Sequence, residues 1–165
     1  MPRVAIISDT HVPSRAAGIP DWVAGELEAA DHVIHAGDFD SPRAYDRIEE
    51  LADGDLTAAR GNVDPAALDL PTATTLEVAG VTFVVTHGTG RPSGWHDRVA
   101  GTVRETAEPD AVGVAGHTHE VVDETVDGVR LLNPGSATGA SPADRETMFV
   151  ADVEGDDLEV TLREG

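Results

Sequence analysis

Short hydrophobic runs recur along the chain and predict six β-strands, each four to six residues long. Polar and glycine-containing stretches separate these runs, as expected where strands end and the chain turns. The predicted strands are 4–7 (VAII), 32–36 (HVIHA), 56–60 (LTAAR), 82–87 (TFVVTH), 111–115 (AVGVA) and 129–133 (VRLLN).

Three stretches between these strands are typical of helices. Ser41 and Pro42 are residue types preferred at a helix N-cap and at the first helical position. Ser93 is the predicted N-cap of the third helix, and Pro109 lies beyond its C-terminal end. The predicted helices cover 19–30, 41–52 and 93–108.

Two hairpins complete the pattern. The first covers 74–88 with its turn at Ala79-Gly80, and the second covers 146–164 with its turn at 154–157. The β-α-β-α-β beginning favours parallel strands, and the hairpins add antiparallel ones. The sequence therefore predicts an α/β fold with two packed mixed β-sheets flanked by helices, in a single domain over 1–165.

The composition excludes several kinds of chemistry. The chain has no cysteine, so disulfides, iron–sulfur clusters and thiolate nucleophiles are ruled out, and any metal must use nitrogen and oxygen ligands. No apolar run approaches the roughly 20 residues of a membrane span. The first run, at 4–7, is too short and too early for a secretory signal, so we expect a cytoplasmic protein.

The charge is strongly acidic, with 31 Asp and Glu against 11 basic residues, all of them arginine. The acids are scattered along the chain instead of forming one tail, which favours a surface adapted to high salt, where a Debye length of about 3 Å at 1 M screens self-repulsion. The alternative is an acidic protein with a basic partner. A large nucleic-acid ligand is not expected, because the sequence contains no basic stripe.

Polar residues able to bind a metal follow five of the predicted strands, where the chain leaves the sheet. In α/β sheets the crevice beyond the carboxyl ends of the strands is where ligands bind. Taken singly, an aspartate here often forms a turn, and a histidine often packs in the core. Those turn and core roles would have to apply independently at all five strand ends, so a shared metal site explains the set better. The residues are Asp9, His11, Asp38, Asn62, His87, His117 and His119.

The order of these motifs resembles that of the calcineurin-like metallophosphoesterases. The chain contains Asp-x-His at 9–11, Gly-Asp at 37–38, Gly-Asn-x-Asp at 61–64, His-Gly at 87–88 and Gly-His-x-His at 116–119. The small single-domain phosphodiesterase branch of that family also carries the NPGS found at 133–136. The resemblance implies two β-sheets between helices, in agreement with the predicted strands.

The resemblance also implies two divalent metal ions that share Asp38 as a bridging ligand. Asp9, His11 and His119 would complete one set of ligands, and Asn62, His87 and His117 the other. Asp38, Asn62 and His87 would act in catalysis through a metal-bridging hydroxide that attacks phosphorus in line, without a covalent intermediate. Manganese is the expected metal, with nickel, zinc or iron as alternatives, since all accept mixed nitrogen and oxygen ligands.

The chain departs from much of the family at Val63, where a histidine that protonates the leaving oxygen usually follows Gly-Asn. Valine cannot donate a proton, and the loss of a general acid costs about 100- to 10,000-fold when the leaving group needs one. Asp64 is a poor substitute because nearby cations keep it ionised. Either it orients a ligand or it forms a plain turn.

These observations predict a dinuclear metal-dependent phosphodiesterase acting on a small phosphodiester. The alternatives are a phosphomonoesterase at the same metal site, and a catalytically weak metal-binding scaffold for protein interactions; the resemblance also leaves a homo-oligomer open. His35 either packs in the core or supports the site. Arg60 and Arg91 either meet a substrate's negative charge or have structural roles.

Overall fold

Two five-stranded β-sheets pack face to face between helices in the computed structural model, which describes all 165 residues. None of the helices is long and apolar enough to cross a membrane. In chain order the strands are β1 (Arg3–Ile7), β2 (His32–His35), β3 (Leu56–Ala58), β4 (Ala73–Val78), β5 (Val81–Thr86), β6 (Val112–Val114), β7 (Val121–Val126), β8 (Val129–Pro134), β9 (Thr147–Glu154) and β10 (Asp157–Glu164). The helices are α1 (Asp21–Ala29), α2 (Pro42–Leu51) and α3 (Trp95–Thr106), and a short 3₁₀ helix covers Ala66–Leu68.

The strands that precede the candidate ligands run parallel within each sheet. The first sheet has the order β10-β9-β1-β2-β3, in which β1, β2 and β3 are parallel. The second has the order β4-β5-β6-β8-β7, in which β5, β6 and β8 are parallel. Parallel strands place their carboxyl ends at the same edge of a sheet, so the segments that follow these strands can meet.

The hydrophobic core has one layer between the sheets and one layer outside each sheet. Val4 and Ile6 of β1 belong to the cluster between the sheets, whereas Ala5 and Ile7 pack in the cluster that contains α1 and α2. Because both faces of β1 are buried, every position from Val4 to Ile7 is hydrophobic. This explains why the first predicted strand is a continuous apolar run without alternation.

Helix α3 covers the outer face of the second sheet and also supports the chain near the site. Its residues Trp95, Val99 and Val103 pack in one cluster with Val84 of β5. The Trp95 indole Nε1 donates a hydrogen bond of 2.9 Å to the carbonyl of Gly116, the first residue of the Gly-His-x-His segment. The packing of the helix thus fixes the position of a backbone group next to the site.

The predicted fold class is confirmed, and so are the three helices and both predicted hairpins. At α2 the Ser41 hydroxyl accepts a hydrogen bond of 3.1 Å from the Ala44 backbone N–H, with Pro42 at the first helical position. The predicted N-cap Ser93 is wrong. Gly94 occupies that position with φ 84° and no side-chain cap, a left-handed conformation that glycine adopts without strain.

Strand β7 was not predicted from the sequence, although its signals are present. It forms a hairpin with β8 that turns at Asp127-Gly128, where both residues have positive φ. Asp-Gly between two β-rich runs is a strong hairpin signal. The acids Asp123 and Glu124 interrupt the apolar run, and they are tolerated because β7 is an edge strand with exposed positions.

Candidate metal centre

All seven candidate ligands lie at the edge of the sandwich where parallel strands from both sheets end. They reach this edge on the segments that follow the strands: Asp9 and His11 after β1, Asp38 after β2, Asn62 after β3, His87 after β5, and His117 and His119 after β6. The structure thus brings the whole set together, although its members span more than a hundred residues of sequence.

The side chains form two groups of candidate ligands. In each group of three, the donor atoms lie within 4.8 Å of one another. The first group contains Asp9, His11 and His119, and the second contains Asp38, His87 and His117.

Asp38 faces both groups. Its Oδ2 lies 3.1 Å from Nε2 of His87 in its own group and 3.5 Å from Nε2 of His11 in the other. The two groups are therefore neighbours, and this carboxylate lies between imidazoles of both.

Asn62 joins the second group from the exposed side of the site. Its Oδ1 lies 3.1 Å from Nδ1 of His117, and the same Nδ1 lies 3.3 Å from Nε2 of His87. Asn62 is exposed and His117 is half-buried, whereas His87 is buried. The second group is thus the one that a ligand approaching from solvent meets first.

Each of the four histidines is oriented by a hydrogen bond from the ring nitrogen that points away from the site. Because a carbonyl oxygen only accepts, the outer nitrogen facing one must carry the proton, and the inner nitrogen is left to bind a cation. The four pairs are His11 Nδ1 to Asp40 Oδ1 (2.9 Å), His87 Nδ1 to the Ala36 carbonyl (2.7 Å), His119 Nδ1 to the Ala140 carbonyl (2.8 Å) and His117 Nε2 to the Gly90 carbonyl (2.8 Å). This is the arrangement of metal-ligating histidines in general.

Five of the seven candidate ligands have a left-handed backbone, which costs a non-glycine residue on the order of 1 kcal/mol or more. Such strain persists where the surrounding structure holds it in place, and it clusters at functional sites. The φ angles are 53° at Asp9, 45° at His11, 66° at Asp38, 75° at His117 and 63° at His119. These sharp turns point the side chains into a single space.

The buried carboxylates of the site carry negative charge that a cation would offset. Burial opposes ionisation of Asp38, but a hydrogen bond and charge from His87 and the Val63 backbone N–H lower its pKa to about 2. Burial likewise opposes protonation of His87, and Asp38 and Asp9 outweigh it and raise its pKa to about 9. A proton on the inner nitrogen of His87 and a metal ion are therefore alternative ways to offset the same two carboxylates.

Two buried atoms of the first group have no hydrogen-bond partner within the protein, namely Asp9 Oδ1 and His11 Nε2. Asp9 is fully buried. An unpaired buried polar atom is costly, typically about 1–3 kcal/mol and more when charged. Both atoms belong to the first group of candidate ligands, so a cation held there would satisfy both, and the residues present fit a metal ion.

Asp64 ties the segments after β2 and β3 together. Its Oδ2 accepts hydrogen bonds from the backbone N–H of Asp38 (2.9 Å) and Gly61 (2.8 Å). Its Oδ1 accepts from the N–H of Phe39 (2.7 Å) and Asp40 (3.1 Å). A plain turn would not bind three consecutive N–H groups of another segment, so the structure favours the role of orienting a ligand.

Val63 contributes its backbone instead of its side chain. Its N–H donates a hydrogen bond of 3.0 Å to Asp38 Oδ1, while its side chain is 40% exposed beside the site. The side chain offers no proton donor, as the sequence indicates.

His35 both packs and supports the site. Complete burial lowers its pKa to about 3, so the ring is neutral. It stacks on Phe39 with ring centroids 3.6 Å apart, its Nδ1 accepts from the Gly37 N–H at 3.0 Å, and its Nε2 lies 3.0 Å from Thr10 Oγ1. Both alternatives drawn from the sequence therefore apply.

Several supporting groups were not identified from the sequence. Asp40 orients His11 through a hydrogen bond to its Nδ1. The only feature of the sequence that could have indicated this role is the position of Asp40 two residues after Asp38. The Gly90 carbonyl that holds His117 is a backbone group, for which a sequence gives no signal. In the NPGS segment, Ser136 Oγ donates a hydrogen bond of 2.7 Å to the Asp9 carbonyl. That segment therefore holds the chain that follows β1 and carries Asp9 and His11.

Replacing Asp64 with asparagine is predicted to weaken metal binding about 10- to 100-fold, the usual effect of removing a group that orients metal ligands. In either orientation an asparagine amide would turn an NH₂ group toward two backbone N–H donors. Calorimetric titration with Mn²⁺ measures the effect. Asp69→Asn, at an exposed position a few residues away, is the matched control. Equal Mn²⁺ affinities for Asp64→Asn and the wild type would refute this role for Asp64.

Comparison with known proteins agrees with this geometry. A sequence model described as the calcineurin-like phosphoesterase superfamily domain matches residues 3–156. A probable metallophosphoesterase from Methanothermobacter thermautotrophicus is 29% identical over 160 residues, which cover 96% of this chain and 90% of that protein.

Two solved structures show the same fold. Wild-type Vps29 from Entamoeba histolytica, in complex with Zn²⁺, is 25% identical with a TM-score of 0.80, and the match covers 99% of this chain and 98% of that one. An archaeal phosphodiesterase is 24% identical with a TM-score of 0.71, covering 98% and 99% of the two chains; this likeness establishes the fold alone. With its ordered motifs and their convergence at one edge of the sandwich, the chain belongs to the calcineurin-like phosphoesterase superfamily.

Proposed function

We propose that this protein is a dinuclear metal-dependent phosphodiesterase that acts on small phosphodiesters, built as a single domain over 1–165. The observation that carries the proposal is the orientation of the four histidines. Each donates its outer N–H to an oxygen, and the inner nitrogens of His11, His87 and His119 lie 3.1–3.5 Å from a buried carboxylate. Metal ions held by these groups would offset the two carboxylates and give the inner nitrogens a partner.

The two groups of ligands define how the metals would be held. Asp9, His11 and His119 would hold one ion, Asn62, His87 and His117 would hold the other, and Asp38 would bridge them because its Oδ2 faces imidazoles of both groups. Nitrogen and oxygen donors suit manganese, nickel, zinc and iron. We propose manganese as the first choice, and the zinc bound by the Vps29 relative makes zinc the next.

Two divalent ions at such a site lower the pKa of a water molecule and neutralise the oxygens of a phosphate. The chain supplies the geometry around them. The neutral amide of Asn62, at the exposed side of the site, adds no negative charge where an anionic substrate approaches. Asp38 and His87 would hold the metal ions that bind the reacting phosphate, and Asp64 and the Ala36 carbonyl orient these two residues in turn.

The missing proton donor favours diesters with acidic leaving groups. Val63 cannot protonate a leaving oxygen, so an alkoxide should leave slowly and an aryl oxide faster. A phosphate monoester dianion gains more than a diester from an additional cationic donor, and Val63 provides none. The same position therefore weighs against the phosphomonoesterase alternative.

The proposal predicts metal-dependent hydrolysis of bis-p-nitrophenyl phosphate in preference to p-nitrophenyl phosphate. The protein would be stripped of metal and then supplied with Mn²⁺, Ni²⁺, Zn²⁺ or Mg²⁺ at high salt. Asp38→Asn should abolish turnover because it removes the proposed bridging charge, whereas Asp69→Asn, an exposed aspartate away from both groups, should leave it unchanged.

Other outcomes of this assay distinguish the alternatives. Preference for the monoester would indicate a phosphatase and would show that the interpretation of Val63 is wrong. Tight metal binding without turnover of either ester would contradict the enzyme and favour a metal-binding scaffold.

The distribution of acidic residues supports a cytoplasmic protein adapted to high salt. Of the 31 acidic residues, only Asp9, Asp38 and Asp64 are buried, and the rest lie at least partly on the surface. Eleven arginines cannot neutralise this surface. Its self-repulsion lowers the stability of the folded state unless salt screens it.

The melting temperature is therefore expected to rise by at least about 4 °C between about 0.1 M and about 2 M KCl, a shift that corresponds to about 1 kcal/mol for a chain of this size. Differential scanning calorimetry measures the change. A melting temperature that is constant or falls in KCl would contradict adaptation to salt.

A further inference from the structure

A cavity of about 410 Å³ adjoins the metal centre, and His87 belongs both to its lining and to the candidate ligands. Its volume lies within the usual range for pockets that bind small molecules, about 300–1,000 Å³. Only two of its twelve lining residues are hydrophobic. Five threonines supply hydroxyl groups, namely Thr72, Thr86, Thr89, Thr102 and Thr106. The cavity is thus built for a polar ligand.

Two arginines line this cavity, although the chain has few cations. Arg60 follows β3 and Arg98 lies in α3, so the two guanidinium groups come from different walls. Neither is among the arginines that form ion pairs with a carboxylate. In a chain with a net charge of −20, two unneutralised cations in one cavity indicate an anionic ligand.

The Arg98 guanidinium lies at the end of the cavity nearest the metal centre. It donates hydrogen bonds to the carbonyls of Gly88 (2.8 Å) and Arg91 (3.0 Å), and Gly88 directly follows His87. Its buried Nε has no hydrogen-bond partner in the protein. A guanidinium that is held by carbonyls and has no carboxylate partner therefore lies at this end of the cavity.

The one acidic residue of the cavity lies at its far end. Glu105 is seven residues after Arg98 on α3, about 10 Å along the helix axis. Thr102 lies between them on the same face, with its Oγ1 donating to the Arg98 carbonyl at 3.1 Å. Along the helix the cavity therefore runs from the Arg98 guanidinium, past the Thr102 hydroxyl, to the Glu105 carboxylate.

We propose that this cavity binds the arm of the phosphodiester that does not leave, and that this arm carries hydroxyl groups and a second phosphate, as in a phosphorylated sugar or polyol. Arg60 would bind the second phosphate, and the threonines would bind the hydroxyl groups. This inference rests on the proposed phosphodiesterase function and specifies its substrate class.

A series of p-nitrophenyl phosphodiesters with one common leaving group tests the proposal. Their other arms would be propyl, glycerol, glycerol phosphate and choline, so that only hydroxyl content and charge vary. We expect kcat/KM to be highest for the glycerol phosphate ester, lower for glycerol, and lowest for the propyl and choline esters. Only the glycerol phosphate ester can form hydrogen bonds between a second phosphate and Arg60. Such hydrogen bonds to a charged group correspond to a difference of about 10- to 100-fold in kcat/KM between this ester and the propyl ester.

Arg60→Gln should lower the preference for glycerol phosphate over propyl about 10- to 100-fold, mainly through KM. The matched control is Arg163→Gln, which removes the same charge from an exposed position on the edge strand β10 and should leave the preference unchanged. Thr102→Val should reduce the preference for glycerol over propyl, because valine has the same shape and lacks the hydroxyl group.

Calorimetric binding of glycerol 3-phosphate to the metal-loaded wild type and Arg60→Gln separates failure of this inference from failure of the proposed function. Turnover of the diesters with equal kcat/KM, or an equal loss on every ester in Arg60→Gln, would overturn the inference and leave the phosphodiesterase intact. If no diester is cleaved but Arg60→Gln still abolishes glycerol 3-phosphate binding, the cavity assignment stands and the enzyme proposal falls. Equal binding by both proteins, or no binding by either, would overturn the cavity assignment.

Discussion

Burial of two carboxylates at the edge where the sheets meet is the constraint on which the rest of the site depends. Asp9 and Asp38 are almost completely removed from water, and isolated buried charge is costly. The chain offsets part of this cost with its own donors: the Ser8 hydroxyl and His117 N–H bind Asp9 Oδ2, and the Val63 N–H binds Asp38 Oδ1. The inner nitrogens of His11, His87 and His119 lie 3.1–3.5 Å from these carboxylates and offset part of what remains.

The same constraint explains the irregular backbone around the site. Strands end there, and five candidate ligands turn through left-handed conformations to reach a common space. Gly116 allows the loops to approach closely, because a Cβ at this position would collide with Ser8 Oγ and Asp9 Oδ2. Hydrogen bonds hold these loops in their strained conformations. They join the side chains of Asp64, His35 and Ser136, which lie behind the candidate ligands, to backbone groups of the loops.

The sequence predicts the fold and the seven converging residues because both depend on patterns that repeat. Apolar runs predict the strands, and the polar residues that follow five of these strands predict a single crevice that holds the candidate ligands. Features that depend on a single local contact are harder to predict from the sequence. Strand β7 is an exposed edge with acidic residues, and the cap of α3 is a backbone conformation of Gly94 that replaces the expected hydroxyl of Ser93.

The outer layer of the site was the least predictable part. The sequence does not decide whether Asp64 forms a plain turn or orients a ligand, because only the folded chain shows that its oxygens bind the N–H groups of another segment. The carbonyls of Ala36, Gly90 and Ala140 that orient histidines have no side-chain signature at all. The cavity beside the metal centre escapes prediction for a similar reason, since Arg60 and Arg98 line one cavity only because α3 packs beside that part of the second sheet.

An anomalous-scattering map of crystals grown with Mn²⁺ tests the proposed dinuclear site most directly. We expect two peaks about 3.5–4 Å apart, one coordinated by Asp9, His11 and His119 and the other by Asn62, His87 and His117. Asp38 should lie between the peaks and contact both. A single peak, or peaks that avoid these side chains, would contradict the dinuclear site.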